Sequence, residues 1–157
     1  MGLEIERRFI ASPRVLRECR GHGRAIVQGY LWSGRDGNAR VRVDDRGGFL
    51  TCKGPKCGCC REETEIAIPH AAALDLLAAL PADTLIRKTR YTVPVGGMEW
   101  VVDVFDGRHR GLIIGEIELS HPAQMFLRPD WALREVTWES AYGNSALARA
   151  AGAPEAA

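Results

Sequence analysis

Eight segments of strand chemistry, most of them joined by only a few residues, constrain this chain more than any other feature of its sequence. They lie at about 2–10, 24–33, 38–46, 48–54, 62–68, 84–94, 98–105 and 112–121, marked by alternation and by Val, Ile, Tyr and Trp enrichment. The connections include SGRDG at 33–37, DRGG at 45–48 and the Gly96-Gly97 pair of a tight hairpin. Connections this short predict consecutive antiparallel pairing. Eight such strands can close into a barrel that holds side chains or one small ligand, and closure removes exposed edges.

Helices are few. PHAAALDLLAAL at 69–80 begins with proline in the first turn and is rich in Ala and Leu, which predicts a helix of two to three turns. PRVLRECR after Ser12 predicts a shorter one, capped by the serine and stopped by Gly21, and GNSALARAA at 143–151 a third. The fold class expected is therefore α+β and mainly antiparallel, a closed eight-stranded barrel with a few flanking helices. One domain is expected over 1–151, with a flexible tail at 152–157.

The charged residues of these strands come in pairs of like sign at i and i+2, so that both members of a pair share a face. Glu4 and Glu6 share one with Arg8; Arg40 and Arg42, Glu63 and Glu65, Lys88 and Arg90, and Glu116 and Glu118 repeat the spacing, with Lys53 and Asp103 nearby in other strands. Solvated faces around an apolar-filled barrel would also carry charges, but such faces ordinarily mix signs because like neighbours repel. Here the first, fifth and eighth strands are acidic and the third and sixth basic. Acidic pairs from different strands can hold divalent cations through hard oxygen ligands. Basic pairs suit a polyanion, with arginine giving bidentate contacts to phosphate. A site combining both points to a metal-chelated polyphosphate.

Composition agrees with local use of charge. Lys and Arg total 21 against 20 Asp and Glu, a formal net charge of +1, which does not fit a general nucleic-acid binder. No apolar run reaches the roughly 18 residues of a membrane span, and a cytoplasmic, non-membrane protein is expected. Five cysteines, four of them between 52 and 60, are not the spread of a secreted disulfide framework.

Taken in order, EIERRF (4–9), QGYL (28–31), ARVRV (39–43), LTCKGP (50–55), ETEIAIP (63–69), KTRY (88–91), WVVDVF (100–105), GEIEL (115–119) and REVT (134–137) make the chain resemble the CYTH domain, the triphosphate tunnel metalloenzymes. The resemblance covers about residues 2 to 150. It implies an eight-stranded barrel whose charged tunnel binds a triphosphate with Mg2+ or Mn2+, and an activity among inorganic triphosphatase, thiamine triphosphatase, class IV adenylate cyclase and RNA triphosphatase. The short chain has no obvious inserted base-binding segment, so inorganic triphosphate is the expected substrate. A noncatalytic polyphosphate or nucleotide-binding module is the reading from another class. Dimers occur among relatives, so a homodimer is open to test.

By the same resemblance Glu4, Glu6, Glu63, Glu65, Asp103, Glu116 and Glu118 form the acidic side, while Arg8, Arg40, Arg42, Lys53, Lys88, Arg90 and Arg134 line the triphosphate path. One metal would rest chiefly on Glu4, Glu6 and Glu118; a second, near Glu63, Glu65 or Asp103, would orient a water. The family signature is ExExK, whereas the third position here is Arg8, which exchanges a compact ammonium for a planar fork. Catalytic roles are thus expected for Glu4, Glu6, Arg8, Glu63 and Glu65.

Other features are expected to contribute less. Cys52, Cys57, Cys59 and Cys60 read as reduced, exposed thiols, since CxCC is not a usual zinc spacing. The four histidines have no Ser or Cys partner in a recognisable pattern. Trp32, Trp100, Trp131 and Trp138 read as packing residues rather than stacking platforms.

Overall fold

The computed structural model describes residues 2–154, so part of the expected tail lies outside the described residues. Its strands are β1 (Gly2–Ala11), β2 (Arg24–Gly34), β3 (Gly37–Asp44), β4 (Gly47–Lys53), β5 (Cys60–Ile68), β6 (Ile86–Val95), β7 (Met98–Phe105), β8 (Ile113–Glu118) and β9 (Ala132–Glu135). The two α-helices are α1 (His70–Ala78) and α2 (Asn144–Leu147). Antiparallel pairing joins β2 through β5 in sequence, β6 through β8 in sequence, and β2 to β6. The ring closes at β1, which pairs with β8 through Glu6–Ile10 and with β5 through Gly2–Ile5. Eight strands therefore form the expected closed barrel. The β6–β7 hairpin turns on Gly96 and Gly97, at φ 58° and 78°, the left-handed pair that a two-residue primed turn requires.

Several boundaries differ from the sequence reading. β9 is additional: it pairs with Phe9–Ala11 of β1, past the reach of β5. The eighth strand stops at Glu118 because the Ser120 backbone N–H and hydroxyl both donate to Gln124 Oε1, at 2.6 and 2.8 Å, and turn the chain away. β6 begins only after a 3-10 turn at Ala82–Thr84. The segment after Ser12 is a 3-10 turn, Pro13–Arg17, capped by the Ser12 hydroxyl and ended at Glu18, short of Gly21. Pro69 is the N-cap of α1 rather than part of its first turn. The last helix is one turn, because its apolar support is limited to the barrel end, where Leu147 and Ala148 are buried.

The main apolar cores lie outside the barrel wall. On one flank Phe9, Trp100 and Trp131 pack together, with ring centroids 5.4 Å apart for Phe9–Trp100 and 5.2 Å for Trp100–Trp131. Gly115 permits this, since a Cβ there would meet Trp131 Cζ3 at 2.8 Å. On the other flank α1 packs Ala73 and Leu77 over Val41 of β3. Many inward positions are polar, and they turn apolar near one end of the barrel. Ile10, Ile86, Phe105 and Ile114 follow or precede Arg8, Lys88, Asp103 and Glu116 by two residues, and cluster with Val136, Tyr142 and Leu147 of the C-terminal segment. That segment partly covers this end of the barrel.

Candidate active site

Seven of the residues singled out from sequence meet in one cavity of about 590 Å³: Glu4, Glu6, Arg8, Arg40, Lys53, Arg90 and Glu116. The acidic wall is β1 beside β8, where register sets Glu6 opposite Glu118 and Arg8 opposite Glu116. The basic wall comes from β3, β4 and β6. Between them the contacts are short: Lys53 Nζ donates to both Glu4 oxygens at 2.6 Å and lies 2.5 Å from Glu63 Oε2. Arg90 Nη2 is 3.5 Å from Glu116 Oε2, and Arg8 Nε is 3.7 Å from Glu6 Oε1.

The remaining candidates lie outside the cavity lining. Asp103 is fully buried and accepts from Lys88 Nζ at 2.5 Å and from Arg90 Nε and Nη2 at 2.7 Å each. Glu65 accepts from Arg42 Nη2 at 3.1 Å and from the Thr51 hydroxyl at 2.7 Å. Arg42 also lies over the Phe49 ring, 4.7 Å from its centroid. Glu65 and Asp103 thus hold cations in place. Glu118 is exposed. Arg134 pairs with Glu139, donates to the Tyr142 hydroxyl at 2.9 Å and stacks over that ring, away from the cavity lining.

Burial and neighbouring charge tune these groups. Burial is the largest influence on Glu4 and Glu116, pushing both carboxyls up; Glu63 and Glu116 add to it at Glu4 against the pull of Lys53, and Glu6 and Asp103 add to it at Glu116. Burial and Arg40 pull Lys53 down, but Glu4, Glu6 and Glu63 outweigh them and hold its ammonium above the ordinary lysine value. Burial also pushes Asp103 up, yet Arg90 and Lys88 together keep it well below the usual carboxylate range. Lys88 is brought down to about 8, chiefly by burial, against the opposing pull of Asp103.

Several lining residues were not predicted. Arg61 is two positions before Glu63 and could have been found by extending that alternation; its Nη2 donates to Gly54 O at 2.8 Å. Tyr30 shares the face of Gln28 in β2 in the same way. Lys56 lies in the β4–β5 loop, where no periodicity applies. Trp138 corrects the packing expectation, being 64% exposed at the cavity; Trp32 is also exposed, whereas Trp100 and Trp131 are buried as expected. The cysteines are free; Cys52 and Cys57 are exposed as expected, but Cys60 is half-buried and Cys59 is buried in the core beside Ile5 and Phe9, which corrects the expectation of four exposed thiols. Among the described residues no three His, Cys, Asp or Glu side chains meet in metal-binding geometry.

A model of the CYTH domain matches residues 2–151. The chain belongs to the CYTH family. It is 40% identical over 149 residues to an inorganic triphosphatase of Acetivibrio thermocellus, covering 95% of each chain, and 33% identical to one of Nitrosomonas europaea, covering 92% of this chain and 96% of the relative. A crystal structure of an inorganic triphosphatase superposes with a TM-score of 0.65 at 31% identity, covering 94% of this chain and 98% of that one.

CYTH triphosphatases depend on metal ions as a class, and the carboxylate oxygens of β1 and β8 are the hard donors that such an ion takes. Glu6 faces Glu118 across adjacent strands, a like-charge pairing that is unfavourable without a cation between, and Glu4 and Glu116 are crowded by further carboxylates. The Arg8 guanidinium of this CYTH barrel is tied to the main chain, donating to Tyr142 O at 3.1 Å and Thr137 O at 3.5 Å.

The low value of Lys88 gives a pH signature. Its folded value of about 8 is below the roughly 10.4 of an unfolded lysine, so between them the unfolded state binds more protons and stability rises with pH. Wild-type protein is expected to gain stability relative to Lys88→Met as pH rises from about 8 to about 10. Thermal melts across that interval measure it; a constant difference would show that Lys88 titrates normally.

Proposed function

We propose that this protein hydrolyses inorganic triphosphate, adding water across a phosphoanhydride bond to release pyrophosphate and phosphate. The observation that carries the reading is the cavity of about 590 Å³ in which a carboxylate wall faces an Arg and Lys wall. Arg40, Lys53 and Arg90 would bind the phosphate oxygens, with Arg8 beside them. Glu4, Glu6, Glu116 and Glu118 would hold Mg2+ or Mn2+, hard ions suited to carboxylate oxygens. When bound, the ion supplies neutralisation of phosphate charge and polarisation of water.

Arg40, Lys53 and Arg90 pair with carboxylates in this structure, so phosphate binding would exchange one set of ion pairs for another. Arg42 and Lys88 would act from behind, with Glu65 and Asp103 orienting the basic wall, and Arg134 would fasten the C-terminal segment through Tyr142. Phosphoryl transfer depends chiefly on positioning and charge stabilisation, which this preset array provides. Residues 1–151 would be the working unit. Five free thiols suit the cytoplasm.

Trp138 favours a second reading, in which a flat organic group stacks where the triphosphate chain emerges. Phosphate release should therefore be measured from tripolyphosphate, ATP and thiamine triphosphate, each with Mg2+ or Mn2+. Rapid release from tripolyphosphate that stops with a chelator is expected. Faster release from an organic triphosphate would favour the second reading, and saturable binding without release would leave a binding module.

A further inference from the structure

We propose that Lys56 is a substrate-contacting residue, its ammonium meeting the triphosphate beside Arg8. This rests on the triphosphatase reading and adds a residue to its site. The β4–β5 loop places Lys56 Nζ 2.6 Å from Thr137 O, a carbonyl that also receives Arg8 Nη2 at 3.5 Å. Two cations thus converge on one neutral oxygen at the cavity wall. Arg8, Arg40, Lys53 and Arg90 each have a carboxylate within ion-pairing distance; among the described residues Lys56 has none.

The two cations differ in freedom. Arg8 is only 6% exposed and is held by two carbonyls of the C-terminal segment as well as by Glu6. Lys56 rises from an exposed loop whose Gly58 sits at φ 63°, and a single hydrogen bond to a neutral group is easily exchanged for charge-assisted bonds to phosphate. Burial, then Arg8 and Arg61, disfavours its positive charge, with Glu6 opposing; an incoming phosphate oxygen would relieve that repulsion. Lysine offers three donors on a flexible stem, so it can follow the phosphoryl group as charge develops, where the tethered guanidinium cannot.

The test compares Lys56→Met, Lys56→Gln and Arg8→Lys/Lys56→Met with wild type, measuring kcat and KM for tripolyphosphate hydrolysis, melting temperature, and metal-free tripolyphosphate binding by calorimetry. Lys56→Met should lower kcat by about tenfold or more, as loss of one preset charge stabiliser does, with little change in melting temperature. Lys56→Gln should lose as much, although its amide can still donate to Thr137 O. Arg8→Lys should restore part of the lost rate in the Lys56→Met background by returning an ammonium to this corner. Wild-type rates in Lys56→Met would overturn the proposal, as would full activity in Lys56→Gln, which would make the residue a tether. If wild type binds tripolyphosphate without hydrolysing it, the triphosphatase reading fails by itself; Lys56 is then judged by binding, which Lys56→Met should weaken, and unchanged affinity would overturn its role.

Discussion

Glu6→Gln is expected to lower the metal-dependent rate of tripolyphosphate hydrolysis by about 10²–10³-fold, the scale of losing one preset electrostatic element of an active site. The amide keeps the shape of the carboxyl and removes its charge. Glu6 suits the experiment because its ion pairing is loose: Arg8 Nε lies 3.7 Å away and the side chain is 21% exposed. Folding should change by no more than about 1 kcal/mol, as for other partly solvated pairs, so the effect on rate can be read without a large correction for stability. Raising Mg2+ or Mn2+ should recover part of the loss, because the remaining Glu4, Glu116 and Glu118 oxygens would still bind the ion, more weakly. Initial rates over a metal titration measure both effects. A rate within threefold of wild type would remove Glu6 from the metal site.

Asp103→Ala should act on the fold instead. Asp103 takes hydrogen bonds from Lys88 and Arg90 at depth, and stripping one partner from a buried ion pair costs about 3–5 kcal/mol. At roughly 2–4 °C per kcal/mol for a chain of this size, melting should fall by about 6–20 °C. Between about pH 6 and 9 the deficit should be widest near pH 6 and narrow as pH rises toward 8, because Lys88 without its carboxylate loses its proton in the folded variant before it does in wild type. Melting curves from about pH 6 to 9 test this; a loss below about 3 °C at pH 6 would mean that the carboxylate is not a buried counterion.

The barrel and the identity of its charged face were legible because strand side chains alternate with period two, a property of the backbone that needs no tertiary information. Glu4 and Glu6, Arg40, Lys53, Arg90 and Glu116 were found this way. Depth along the barrel was not legible: Glu65 and Asp103 fit the same pattern as Glu6, and only packing shows that they lie outside the cavity lining, bonded to Arg42 and Arg90. β9 was not legible because its four residues pair with a stretch of β1 that β5 leaves free, a condition set by the stagger of the whole ring. Lys56 and Trp138 lie in irregular segments, where position follows from the fold and not from spacing.

With its larger apolar packing outside the wall and its charges within, the barrel divides much of its strand sequence into two interleaved sets. In β1, Ile5 and Phe9 belong to an outer core and Glu4, Glu6 and Arg8 to the cavity. Cavity residues such as Glu6 can therefore be exchanged while the outer core stays intact, provided that buried counterions such as Asp103 are kept. The cavity side of β1, at Glu4, Glu6 and Arg8, is thus open to redesign on a scaffold that Ile5 and Phe9 continue to hold folded.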